Sequence, residues 1–123
     1  ENVGRYEVES NTRARTMREA LIHEYGHILN ADMQMRSDKY PKEALDILLK
    51  IKKESGYRLD SPKLLFQPAT NLFDERAKKY GMQVSHYAST CGAEYFAESF
   101  LMFNQGEKLP DEDLEKLFKI LTK

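Results

Sequence analysis

Several things are scarce in this chain of 123 residues, and each scarcity closes off a class of protein. One cysteine, Cys91, rules out an internal disulfide, so stability must come from packing, as suits a reducing compartment without excluding secretion. No apolar run is long enough to cross a bilayer. Even the stretch from Ala44 to Ile51 is interrupted by Asp46 and Lys50. Excess charge of either sign is missing too: 19 basic and 20 acidic residues leave a formal net charge of −1, which provides no electrostatic footprint for a nucleic acid. There is no internal repeat and no low-complexity tract. Starting at Glu1 without methionine or an apolar leader, the chain reads as a mature form or an excised domain. Its length and its balance of apolar and charged residues predict one globular domain over residues 1–123.

Histidine is also scarce, and its placement is the most informative feature present. Two of the three histidines fall in His23-Glu24-Tyr25-Gly26-His27. On a helix, residues four apart lie one above the other, so His23 and His27 can direct ring nitrogens at one metal ion. Glu24 lies about a hundred degrees further round, beside the ion, where its carboxylate can take a proton from water activated by the metal. The same pentapeptide can arise by accident as two histidines on an amphipathic helix. A third donor and a helical setting are therefore needed to give it meaning.

The helical setting is legible. From Thr12, an expected N-cap, the positions Ala14, Met17, Leu21, Tyr25, Ile28 and Leu29 follow helical spacing to about Met35. Gly26 inside that helix reads either as a site of close backbone approach or as a tolerated glycine. A second helix is predicted from Tyr40-Pro41 to Gly56, with Ala44, Leu45, Leu48, Leu49 and Ile51 or Lys52 as its stripe. Residues 58–68, with two prolines, read as a loop. Thr70 or Asn71 is expected to cap a third helix that Gly81 stops after Lys79-Tyr80, followed by an extended segment from Met82 to Ser85. A fourth helix runs from Gly92 to Asn104, apolar on nearly every side, and Pro110 opens a fifth, with Leu114, Leu117, Phe118 and Leu121 as its apolar stripe. The segment Val3 to Glu9 alternates weakly and suits a short edge strand. The predicted fold class is thus mainly α, about five helices with at most one short N-terminal strand.

The fourth helix supplies the third donor. Glu94 and Glu98 share one face of an otherwise apolar element, where an unpaired buried charge costs several kcal/mol. Either they lie on a solvated stripe and pair with Lys or Arg, or one of them completes a two-His, one-Glu zinc set while the other accepts the free ring N–H of a ligand histidine.

Taken together, His23-Glu24-Tyr25-Gly26-His27, Ser85-His86-Tyr87-Ala88 and Glu94-Tyr95-Phe96-Ala97-Glu98-Ser99-Phe100 resemble the zinc peptidase domain of anthrax lethal factor and its relatives. Those relatives include the Pro-Pro endopeptidases and the zincin-like domains attached to phage head-morphogenesis proteins. The likeness covers roughly Thr16 to Asn104, and it implies a compact zincin-like domain in which His23, His27 and Glu94 bind Zn2+ and Glu24 is the general base. It also implies that Tyr87, seven residues before Glu94, supports the transition state. A phenol O–H aimed at a developing oxyanion is reasonable chemistry for that role, although a loop tyrosine can equally just pack on the core. Glu98 matches the family's second glutamate, for which the preferred role is to orient a ligand histidine.

The resemblance further implies a peptide or protein substrate and zinc-dependent endopeptidase activity. It opens a place in a larger polypeptide or phage assembly, in the cytoplasm or on a virion. The chain departs from the family in two ways. It lacks the large domains through which lethal factor selects its substrates, and the zincin sheet is reduced to the segment Val3 to Glu9 or absent, which would leave an open cleft. His86 and Cys91 are two further conceivable ligands, although His86 is expected to point away and Cys91 to be a small buried residue. Two readings compete with the peptidase: a metal-stabilised structural or interaction domain, such as an accessory module of a phage head protein, and a metal-free helical domain.

Overall fold

The computed structural model describes residues 12–54 and 72–123, and among these it contains five α-helices and no strand. They are α1 (Met17–Met35), α2 (Lys42–Glu54), α3 (Asp74–Val84), α4 (Gly92–Asn104) and α5 (Glu112–Leu121). Two 3-10 turns, Ser37–Lys39 and Tyr87–Ser89, lead into α2 and α4 respectively. The mainly α architecture expected from the sequence is the observed one. The expected strand at residues 3–9, the loop at 58–68 and the cap at residue 70 or 71 lie outside the described residues. No described helix is long and apolar enough to cross a membrane.

The start of α1 corrects the sequence reading. Thr16 is the N-cap, its Oγ1 accepting the backbone N–H of Glu19 at 3.1 Å, while the Glu19 carboxylate accepts the N–H of Arg15 at 2.7 Å. This reciprocal pair resembles a capping box and stabilises the first turn. Thr12, the expected cap, is buried elsewhere. The packed face also differs from the regular apolar stripe. Leu21 and Ile28 are 61% and 62% exposed, whereas His23, Gly26, Leu29, Asn30 and Met33 are buried.

What selects that face is Gly26. A Cβ on this residue would lie 2.9 Å from the Cα of Ala97 and 3.3 Å from the Cβ of Phe100, so α1 and α4 meet there nearly backbone to backbone. Only a missing side chain permits so close a crossing. Gly81 works the same way. It does not stop α3, which continues to Val84, because it sits inside the helix where a Cβ would come within 2.6 Å of the Cα of Ser89. The Tyr87–Ser89 turn therefore rests directly on α3, and Met82 to Val84 are helical where an extended segment was expected.

Around this seam the core is aromatic. Phe118 of α5 meets the rings of Phe96, Phe100 and Phe103 of α4 at centroid distances of 5.2, 5.3 and 5.5 Å, and Phe73 meets Phe96 at 5.0 Å. Edge-on and tilted rings at these separations add to the stabilisation from burial itself. The α2 helix begins just after Pro41 and buries Ala44, Leu48, Ile51 and Lys52.

Asp111, not Pro110, sets the start of α5. Its Oδ1 accepts the N–H groups of Asp113 and Leu114 at 3.1 and 3.2 Å and the guanidinium of Arg76 at 2.8 Å, while Oδ2 accepts the Tyr95 hydroxyl at 2.9 Å. Arg76 also reaches Glu54 and Asp113, so one cation joins α2, α3 and α5.

Gly26→Ala should force α1 and α4 apart, because backbone atoms cannot yield as a flexible side chain can. The expected loss is about 1–3 kcal/mol, read as a lower urea midpoint at unchanged slope. An unaltered midpoint would show that the crossing is looser than described.

Candidate metal centre

The close crossing at Gly26 brings the two polar stripes of α1 and α4 face to face. His23 Nε2 lies 3.0 Å from Glu94 Oε1, and His27 Nε2 lies 3.3 Å from the same oxygen. One donor atom from each of His23, His27 and Glu94 falls within 4.8 Å of the others, the one such group among the described residues. His23 is buried, whereas the side chains of His27 and Glu94 are 28% and 19% exposed, so the group opens to solvent on one side.

Behind His23 stands Glu98, a carboxylate with no exposed surface. Its Oε2 accepts His23 Nδ1 and the Thr12 hydroxyl, both at 2.6 Å. Its Oε1 accepts the Arg13 N–H at 2.7 Å and the Ser85 hydroxyl at 2.8 Å. Four donors thus meet the four lone-pair positions of one ionised carboxylate. The solvated stripe paired with lysines or arginines is not what the structure contains, since no Lys or Arg side chain is among these donors to Glu94 or Glu98. Thr12, Arg13 and Ser85 were missed as part of this constellation. The signal that could have found them is the carboxylate on an apolar helix, which requires donors from nearby segments.

Electrostatics follow from these contacts. Burial works against a charged His23, but hydrogen bonds to Glu94 and Glu98 outweigh it and raise its pKa to about 9. Burial likewise works against an ionised Glu94, yet the bonds from His23 and His27 prevail and hold its carboxyl at about 2. Glu98 is pulled in the same direction, its burial overcome by His23, Thr12, Arg13 and Ser85.

The remaining residues singled out in the sequence lie outside the donor group, and only Tyr87 touches it. Glu24 is exposed on α1. Tyr87 is half-buried in its 3-10 turn, its ring stacked 6.0 Å from that of His23 and inclined by 19°. Burial first, and then the nearby charge of Glu94, raise the pKa of its phenol. It therefore keeps its proton at neutral pH and can act as a donor. His86 is exposed and Cys91 half-buried at the N-cap position of α4, and neither belongs to the donor group.

The donor set suits a divalent ion by type and by spacing. Two imidazoles and a carboxylate are the ligands of many catalytic zinc sites, and a tetrahedron with bonds of 2.0–2.1 Å has edges of about 3.3–3.4 Å. The two spacings to Glu94, 3.0 and 3.3 Å, are near that value, while the three donor atoms together lie within 4.8 Å. His23 has its far nitrogen on a carboxylate, the usual way of fixing a ligand imidazole. Other divalent ions accept the same donors, so the geometry does not select zinc among them. Comparison with protein families, curated proteins and solved structures finds no match for this chain.

The metal-free protein should show a defined pH profile. His23 has a folded pKa raised from 6.5 to about 9, so its contribution is complete below pH 6.5 and is lost as pH rises through 9. Glu94 has a folded pKa lowered from 4.5 to about 2, so its contribution is present above pH 4.5 and is lost as pH falls through 2. Thermal stability with chelator present should be highest between pH 4.5 and 6.5 and should fall on the alkaline side by on the order of 1–3 kcal/mol. A flat profile from neutral pH into the alkaline range would contradict the His23 contacts.

Proposed function

We propose that the protein is a zinc-dependent endopeptidase of the lethal factor-like kind, hydrolysing peptide bonds in a peptide or protein substrate. The observation that carries this reading is the set of three convergent donors, His23, His27 and Glu94, open on one side and with the Tyr87 ring stacked on His23. Structural zinc sites are normally closed by four protein ligands, whereas catalytic ones leave a position open. Zinc, when bound, supplies a Lewis acid that polarises a carbonyl and makes water a better nucleophile.

The chain's own groups have the following tasks. Glu24 takes a proton from the attacking water and delivers it to the leaving amine, a role that needs an accessible carboxylate. Tyr87, which keeps its phenolic proton, donates to the oxygen on which negative charge develops. Glu98 fixes the ring orientation of His23 so that Nε2 faces the site. Because a proton and a cation compete for His23, zinc affinity rises with pH, by up to about tenfold per unit below the His23 pKa.

A second reading, a metal-stabilised domain without catalysis, draws on the fact that the donors come from α1 and α4 at their crossing, so an ion there would tie the two central helices together. Wild-type protein should contain one equivalent of zinc by elemental analysis and cleave a randomised fluorogenic peptide library. Glu24→Gln should keep the zinc and lose cleavage by about 10²–10⁴-fold. Zinc binding with no cleavage by wild type, joined to a lower melting temperature for His23→Ala, favours the second reading. Absence of bound divalent metal overturns both.

A further inference from the structure

Glu98 is held from four directions, and three of them come from two segments that carry no metal donor. Thr12 and Arg13 form a short strap ahead of α1. Besides the two bonds to Glu98, the Arg13 guanidinium donates to Gln105 Oε1 and the Val84 carbonyl, both at 2.9 Å, and pairs with Glu107 at 2.6 Å. The strap is thereby tied to the C-terminal ends of α3 and α4. Ser85, at the end of α3, reaches Glu98 and also accepts the N–H of Ala88 in the Tyr87–Ser89 turn at 3.0 Å.

We propose that Thr12, Arg13 and Ser85 are positioning residues of the metal centre, and that docking of the strap and binding of the ion are coupled through Glu98. The reasoning is geometric. A carboxylate on a helix can swing about its side-chain torsions, and only filled lone pairs restrict it. The Thr12 hydroxyl and His23 Nδ1 share Oε2, while Arg13 and Ser85 share Oε1, so the plane of the carboxylate is fixed by donors on both oxygens. With the strap undocked, Glu98 keeps His23 and Ser85 but loses both donors contributed by the strap, and with them the constraint that holds His23 Nε2 toward Glu94. Coupling between two binding events is reciprocal: whatever factor the docked strap adds to metal affinity, bound metal adds to strap docking. The inference rests on the metal reading of His23, His27 and Glu94.

Zinc affinity measured by competition with a chromophoric chelator tests this on the full chain, with Thr12→Val, Thr12→Ser and Ser85→Ala compared with wild type. Outer groups of this kind typically change metal affinity by about 10–100-fold. Thr12→Val and Ser85→Ala should each weaken zinc binding at the lower end of that range, while Thr12→Ser, which retains the hydroxyl, should match wild type. The reciprocal arm is trypsin cleavage after Arg13 and Arg15: zinc should slow it in wild type and in Thr12→Ser, and much less in Thr12→Val. Melting curves with chelator present separate a general loss of stability from a loss of affinity, and Ser85→Ala keeps the test alive if Thr12→Val fails to fold. A wild type that binds zinc while Thr12→Val and Ser85→Ala bind it equally well overturns the coupling and leaves the metal reading intact. A wild type that binds no zinc overturns the metal reading and the coupling with it.

Discussion

A carboxylate with no exposed surface, Glu98, is the constraint from which the arrangement of the site follows. Taking such a charge out of water costs several kcal/mol unless its lone pairs are met. Here they are met by a ring nitrogen from α1, a hydroxyl and a backbone N–H from the residues before α1, and a hydroxyl from the end of α3. These segments must converge on one point of α4 for the charge to be tolerated. His23 is thus oriented by the same bond that makes Glu98 admissible in the interior. The geometry of the candidate metal centre and the stability of the central seam share one set of contacts.

Two glycines allow that convergence. Without the near contact at Gly26, α1 would stand further from α4 and the imidazoles would not reach Glu94. Without that at Gly81, the turn bearing Tyr87 would be displaced from α3 and its ring from the face of His23. In both places a side chain is absent so that backbone can approach backbone. Polar chemistry at the seam is bought by the loss of local helix propensity, about 1 kcal/mol at each glycine.

Much of this was legible in the sequence, and the failures have physical causes. The extent of α4, from Gly92 to Asn104, follows from an apolar run bounded by turn residues, and the pairing of His23 and His27 follows from helical spacing. The face on which α1 packs was not legible. Met17, Leu21, Tyr25 and Ile28 form the regular apolar stripe, yet the crossing is chosen by Gly26 and by the polar residues around it. The start of α1 was misplaced because both Thr12 and Thr16 can cap a helix. Only Thr16 has a glutamate three residues on to complete the pair. Gly81 misled because a glycine near a helix end usually marks termination, and a glycine admitting a neighbouring turn looks the same in one dimension. Thr12 and Ser85 escaped because partners of a buried carboxylate are set by tertiary contact, not by spacing.

The polar cluster around Asp111 acquires a further meaning when set beside Glu98. Glu94 and Glu98 engage α1, while Tyr95, a hundred degrees further round α4, sends its hydroxyl to Asp111, which is in turn held by Arg76. The central helix is therefore gripped on two different sides by polar networks that share no residue. A rod held at one side can roll about its axis, and a rod held at two cannot. Hydrogen bonds at two azimuths add directional restraints to the close-packed aromatic contacts of Phe96 and Phe100. Asp111, far from the histidines in sequence and joined to them by no hydrogen bond or ion pair among the described residues, helps fix the angle at which Glu94 faces them.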